Sequence, residues 1–202
     1  MWEQLKRLIK PNGAIVLFGS QPFTSALVMS NPKMFKYEWV WEKKVASNSQ
    51  LAKIQPLKIH ENILVFGQSK INYFPVDLVG CEIKRTNDNR SKGVGHIGSE
   101  KKRKVFIQTK TGYPKSIQHF KPNNINKLHP TQKPVALLEY LIKTYTNEVE
   151  TVLDFTAGSG TTGVAAIKTC RNAILIEREE KYCEIIRARI NAAKPERTIF
   201  DD

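Results

Sequence analysis

A chain of 202 residues is long enough to bury a core as one domain, or as one domain with an inserted lobe. Its 32 lysines and arginines against 19 acidic residues give a formal net charge of +13, which points to a polyanionic partner, nucleic acid ahead of anionic lipid. No run approaches the roughly 18 apolar residues that span a bilayer, and Met1 to Gly13 lacks the apolar core and cleavage site of a signal peptide. The expectation is a cytoplasmic protein with no membrane partner.

Trp2, Leu5, Leu8 and Ile9 fall at helical spacing, and Pro11-Asn12-Gly13 supplies a stop and a turn. Ala14 to Phe18 is a short apolar run that reads as a strand, and Gln21 to Met29 reads as a helix broken near Asn31-Pro32. Tyr37 to Trp41 and Ile63 to Phe66 are two further strands, the second bounded by Gly67. From about residue 68 to 127 apolar periodicity fades and basic residues dominate. Between positions 81 and 121 there are 11 Lys or Arg against three acidic residues, so this stretch carries +8 of the +13. Charge runs are usually solvated loops. Here Tyr73, Phe74, Phe106, Tyr113 and Phe120 are interleaved with the charges, which favours contact with nucleic acid.

Regular patterning returns at Pro134, which suits the first turn of a helix with Val135, Leu138, Leu141, Ile142 and Tyr145 on one face. Thr151 to Asp154 then reads as a strand, Gly160 to Thr169 as a helix and Ala173 to Glu177 as a strand. Tyr182, Ile185, Ile186 and Ile190 mark a last helix. A β-α-β-α succession requires a parallel sheet, so the fold class is α/β. Cys81, Cys170 and Cys183 are odd in number and contain no CxxC, and the four histidines are scattered. Neither a disulfide framework nor a metal site is expected.

The most specific local feature is Val152-Leu153-Asp154-Phe155-Thr156-Ala157-Gly158-Ser159-Gly160-Thr161-Thr162-Gly163, a strand running into a glycine turn that opens a helix. Glycines at 158, 160 and 163 let a ligand approach the main-chain N–H groups of the helix N-terminus. Glu177, 19 residues after Gly158, is placed to accept hydrogen bonds from ribose hydroxyls. The glycine spacing by itself also suits a nicotinamide or flavin dinucleotide, and a nicotinamide-dependent oxidoreductase stays open on that ground. Asp154 shifts the balance, because a carboxylate at the strand end suits a cationic ligand and repels a pyrophosphate.

Asp154 to Gly163, read as DFTAGSGTTG, and the upstream stretch Leu128-His129-Pro130-Thr131-Gln132-Lys133-Pro134 together resemble the permuted (beta) class of DNA N6-adenine and N4-cytosine methyltransferases. Ala14 to Ser20, Trp39 to Lys43 and His60 to Phe66 resemble strands of that family's catalytic half. The resemblance implies a Rossmann-like sheet with helices on both faces, S-adenosylmethionine as cofactor and double-stranded DNA as partner. It implies methyl transfer to the amino group of a flipped-out base, adenine N6 before cytosine N4, within a restriction-modification or phage-like setting. Carried over residue by residue, Asp154, Phe155, Thr156, Ala157, Gly158, Ser159, Gly160 and Thr161 form the cofactor loop. Glu177 holds the ribose, Thr131, Gln132 and Lys133 lie beside the methionine end, and His129 and Pro130 shape the turn.

Lys84, Arg85, Lys101, Lys102, Arg103 and Lys104 are candidate phosphate contacts. The implied division is 1–67 as catalytic half, 68–127 as basic target-recognition insert and 128–202 as cofactor half. The family's (Asp/Asn/Ser)-Pro-Pro-aromatic tetrapeptide is absent, since the chain has no Pro-Pro, so no catalytic residue is assigned. The expectation is a truncated sheet lacking one or two N-terminal strands, without activity by itself, whose partner is a second copy or a complementing N-terminal polypeptide. A non-catalytic DNA-binding subunit that keeps the fold is the alternative.

Overall fold

The computed structural model describes residues 1–46, 48–86, 105–122 and 127–195. Two compact units are present, one made of residues 1–74 and 115–202 and the other of residues 75–114. In the larger unit the order is α1 (Trp2–Leu8), β1 (Ile15–Gly19), α2 (Phe23–Ser30), β2 (Phe35–Glu42) and β3 (His60–Phe66). The smaller unit holds β4 (Val79–Thr86) and β5 (Val105–Thr111), an antiparallel pair. The larger unit resumes with β6 (Ile117–His119), α3 (Val135–Tyr145), β7 (Thr151–Asp154), α4 (Thr161–Lys168), β8 (Asn172–Leu175) and α5 (Glu180–Ala192). The α/β class expected from the sequence is the observed one.

Four strands form a sheet in the order β1-β3-β2-β6, with β3 antiparallel to both neighbours and β6 parallel to β2. β3 is buried on both faces, which is why Ile63-Leu64-Val65-Phe66 reads as an unbroken apolar run. Ile63 and Val65, with Trp39 and Trp41 of β2, pack against Leu137, Leu138, Leu141 and Ile142 of α3 and Ala165 and Ala166 of α4. On the opposite face Leu64, Phe66 and Ile15 pack against Leu5 of α1, Leu27 of α2 and Met34. Helices therefore cover both faces. The Tyr145 hydroxyl ties α3 to β2, accepting from Trp39 Nε1 at 2.6 Å and lying 3.1 Å from the Tyr37 hydroxyl.

The β-α-β-α pattern at the end of the chain gives the parallel pair β7–β8, with α4 as the crossover. β8 ends at Leu175, two residues short of the expected boundary, so Glu177 stands in the loop after the strand. The ladder closes with Ile176 N–H donating to Asp154 O and Ala157 N–H donating to Ile176 O, which turns the chain toward the glycine loop. Among the described residues no ladder joins β7 to β1.

Candidate functional site

A cleft of roughly 800 Å3 in the larger unit is lined by the β1 and β7 strands, the glycine loop after β7 and the 129–133 turn. The loop is built by conformations that its residue types permit. Gly158 and Gly160 have φ of +52° and +74°, the left-handed region where a side chain is strained. A Cβ on Gly158 would press on the His129 ring at 3.3 Å, and one on Gly160 would meet Ile186 of α5 at 2.9 Å. The turn is thus glycine-rich for close packing behind it as well as for access in front.

Asp154 organises the front of the loop. One carboxylate oxygen accepts from Thr156 N–H at 3.0 Å and the other from the Thr162 hydroxyl at 2.6 Å, across the first turn of α4. Glu177 ties the loop to the segment after β8. Its carboxylate accepts from Gly158 N–H at 2.8 Å, Arg178 N–H at 2.8 Å and Glu179 N–H at 3.0 Å. These amides, Glu179 foremost and Gly158 among them, hold its pKa below the ordinary value despite the smaller opposing effect of desolvation.

Of the residues expected at the cofactor site, Asp154, Phe155, Thr156, Ala157, Gly158, Ser159 and Thr161 line the cleft, as do Thr131, Gln132 and Lys133. Gly160 and Glu177 are not in its wall; Gly160 packs against Ile186 of α5, and Glu177 is bonded to the loop through Gly158 N–H. His129, read as a turn former, accepts at Nδ1 from Thr131 N–H at 3.2 Å, and its ring packs edge-on against Tyr182 at 4.6 Å. Lys133 Nζ pairs with Glu61 at 3.0 Å, donates to Thr131 O at 3.1 Å and lies 5.0 Å from the centre of the Phe18 ring. Glu61 also pairs with Lys43, so one glutamate on β3 holds lysines from two other segments. Lys84 and Arg85 stand exposed on β4 of the smaller unit, and Lys101, Lys102, Arg103 and Lys104 lie outside the described residues.

Two contributors escaped the sequence reading. Arg189 of α5 donates to Ser159 O at 2.5 Å, Ser159 Oγ at 3.0 Å and Thr161 Oγ1 at 3.2 Å, clamping the glycine loop from behind. The available signal was an arginine three residues after Ile186 on the apolar face of an amphipathic helix, where a charge needs a buried partner. Glu61 was read only as part of a strand. Its signal was a carboxylate at the head of an otherwise apolar run.

Residues 1–188 match the N6/N4 DNA methylase family model. The Type II methyltransferase M.HinfI of Haemophilus influenzae is 27% identical over 198 residues, covering 96% of this chain and 51% of that protein. M2.DpnII of Streptococcus pneumoniae is 48% identical over 64 residues, which are 32% of this chain and 24% of that protein. The chain thus spans about half the length of the first of these relatives and a quarter of the second. Among solved structures, the M1.HpyAVI–SAM complex superposes with a TM-score of 0.63 at 26% identity, covering 93% of this chain and 79% of that one. The cytosine-N4-specific PvuII DNA methyltransferase, at 16% identity and a TM-score of 0.56, shares the fold. With the glycine loop, its carboxylates and the 129–133 turn gathered in one region, and a family model matching residues 1–188, the chain belongs to the N6/N4 DNA methylase family.

Proposed function

We propose that the chain binds S-adenosylmethionine at the glycine loop and is the cofactor-holding part of a DNA amino-methyltransferase that acts on adenine N6. The observation that carries this reading is the DFTAGSGTTG turn opening on a cleft whose wall includes Asp154. The residues suit the ligand. Left-handed glycines leave no side chain between the turn and the cleft, and an acidic side chain lines the space where a cationic amino-acid end would lie. When bound, the cofactor would supply an electrophilic methyl on a sulfonium centre.

In this reading Asp154 orients the ammonium of the methionine part, and Phe155 to Thr161 shape the bed. Glu177 fixes Gly158 at its N–H and offers its remaining lone pairs to the ribose hydroxyls. Thr131 and Gln132 border the methionine end, where Lys133 serves as the anchor of the turn. Residues 1–67 act as the catalytic half and 128–202 as the cofactor half. Residues 68–127 act as the basic insert that meets double-stranded DNA, with Lys84 and Arg85 on phosphates. The assignment of adenine rests on the family resemblance.

No residue of this chain takes the part of the Pro-Pro tetrapeptide, so the chain by itself binds cofactor without transferring methyl. Residues other than these 202 supply that part. A non-catalytic DNA-binding subunit would bind the same ligands and is separated from this reading by turnover in the completed assembly. Calorimetric titration tests the binding: S-adenosylmethionine and S-adenosylhomocysteine saturate and NAD does not, and Asp154→Asn weakens S-adenosylmethionine at least tenfold. Binding of NAD in preference, or of none of the three, would overturn the reading.

A further inference from the structure

One face of the four-stranded sheet gathers three charged side chains. Phe18 of β1 stands opposite Ile63 of β3, and Trp41 of β2 stands opposite Glu61 of β3. Side chains two apart on a strand share a face, so Phe18, Glu61, Ile63, Trp41 and Lys43 belong to the side that α3 covers. Lys43 N–H donates to Ile59 O at 2.7 Å, which continues the pairing of β2 with β3 past Glu42. Lys133 stands two residues before Val135, the first residue of α3, and reaches the same face from the helical layer. The result is a carboxylate between two ammonium groups. Glu61 pairs with Lys43 through one oxygen and with Lys133 through the other, at 3.0 Å. An aromatic ring backs each lysine, Trp41 at 5.1 Å from Lys43 Nζ and Phe18 at 5.0 Å from Lys133 Nζ.

The side chains of Lys43, Glu61 and Lys133 are 16%, 18% and 19% exposed, so solvent screens their charges less than it screens charges on an open surface. Two lysines and one glutamate leave a net charge of +1. Of the three, Lys133 alone lines the cleft, in the company of Phe18, Asp154 and Phe155. Its ammonium has three donors, and Glu61, Thr131 O at 3.1 Å and the Phe18 ring already surround it. It therefore acts on a ligand as a fixed charge and not as a hydrogen-bond donor. A fixed positive charge in the wall disfavours a cationic ligand, and the Glu61 carboxylate beside it offsets much of that field.

S-adenosylmethionine carries a sulfonium, whereas the product left after methyl transfer, S-adenosylhomocysteine, is a neutral thioether. The adenosine and the amino-acid end are common to both. We propose that Glu61 is a positioning residue that sets the charge selectivity of the cofactor site. From outside the cleft it neutralises Lys133, lowers the penalty on the sulfonium and so favours the cofactor relative to its product. Loss of its charge leaves two uncompensated lysines on that side of the site. The proposal rests on the reading of the cleft as a site for S-adenosylmethionine.

The test is calorimetric titration of the full chain with both ligands. Its readout is the ratio of the two dissociation constants, which a general loosening of the site does not move. Glu61→Gln keeps the shape of the side chain and raises the local charge by one. It should weaken S-adenosylmethionine about fivefold or more beyond any effect on S-adenosylhomocysteine. Lys133→Met lowers the local charge by one and should shift the ratio by a similar factor in the other direction. Glu61→Gln combined with Lys133→Met restores the net charge, and the ratio should return to within about twofold of the unaltered chain, whatever the loss in either affinity alone. Circular dichroism confirms that each variant is folded at the temperature of the titration. An unchanged ratio in Glu61→Gln, or a double variant that keeps the ratio of Glu61→Gln, overturns the proposal and makes Glu61 a structural residue. If Glu61→Gln does not fold, the shift in Lys133→Met or its absence decides between the same outcomes. Failure of the unaltered chain to bind either ligand overturns the cofactor reading itself, a result distinct from binding of both with a ratio that ignores charge.

Discussion

Glu61 gathers charge beside the cleft, because Lys43 and Lys133 both converge on it. Burial pushes its pKa up, but the hydrogen bond from Lys43 and the charge of Lys133 outweigh burial and hold it below the ordinary value. A carboxylate with a lowered folded-state pKa contributes stability that is complete above the ordinary glutamate range and is lost as pH falls through the lowered value. Glu61→Gln is accordingly expected to destabilise the protein by about 1–3 kcal/mol at neutral pH. Thermal melts from pH 7 down to pH 3 should show the gap between the two proteins closing at the acid end. A constant gap would mean that shape and not charge matters there. Gly160→Ala combines a φ of +74° with a Cβ placed 2.9 Å from Ile186, and about 1–3 kcal/mol of stability should be lost, read by denaturant unfolding. The glycines of the loop were legible because their spacing records a backbone demand. Glu61 and Arg189 were not, because nothing in their neighbourhood names the distant segment that each one grips.

At the scale of elements, Arg189 shows how α5 supports the site without entering it. Its guanidinium is partly buried, and desolvation lowers its pKa, a cost offset by its bonds to Ser159 and Thr161. Arg189→Met keeps the apolar stem and removes the donors. S-adenosylmethionine affinity is expected to fall roughly five- to tenfold, about 1–1.4 kcal/mol, with helix content by circular dichroism unchanged. An unaltered affinity would show that the loop holds its shape without the clamp. Arg171 plays a comparable part elsewhere, donating to Thr146 O at 2.8 Å and to Thr169 O, carbonyls at the ends of α3 and α4. The elements most legible in the sequence were those with a buried face. Ile63 to Phe66, the apolar stripe of α3 and the β7-α4-β8 run all carry the periodicity that burial imposes. β4 and β5 were read only as a basic insert, because Val79, Ile83, Phe106 and Ile107 are all exposed and no buried face enforces alternation. β6 has three residues and is held by Val40 N–H donating to Ser116 O and Trp41 Nε1 donating to Phe120 O, long-range bonds that local sequence does not announce.

For the whole molecule, the charge of +13 and the site chemistry point the same way, toward an anionic polymer and a cationic cofactor. DNA binding should weaken linearly in log affinity against log salt, as counterions are released. The pair Lys84→Ala and Arg85→Ala should reduce that slope by about 1–2 without changing sequence preference, as read by fluorescence anisotropy at several salt concentrations. A slope left intact would move the phosphate contacts elsewhere on the chain. The family and the glycine loop were written in the sequence, in two short stretches in a fixed order. The cleft lined by β1 and β7 was not, because these strands lie 132 residues or more apart in the chain. The central claim is that this chain holds the cofactor and does not by itself complete the reaction. It is tested most directly by a tritium-methyl transfer assay on mixed-sequence double-stranded DNA, run with the chain alone at a concentration where S-adenosylmethionine binding is saturated. The expected result is full occupancy with no label in DNA, and steady transfer of label by the chain alone would contradict it.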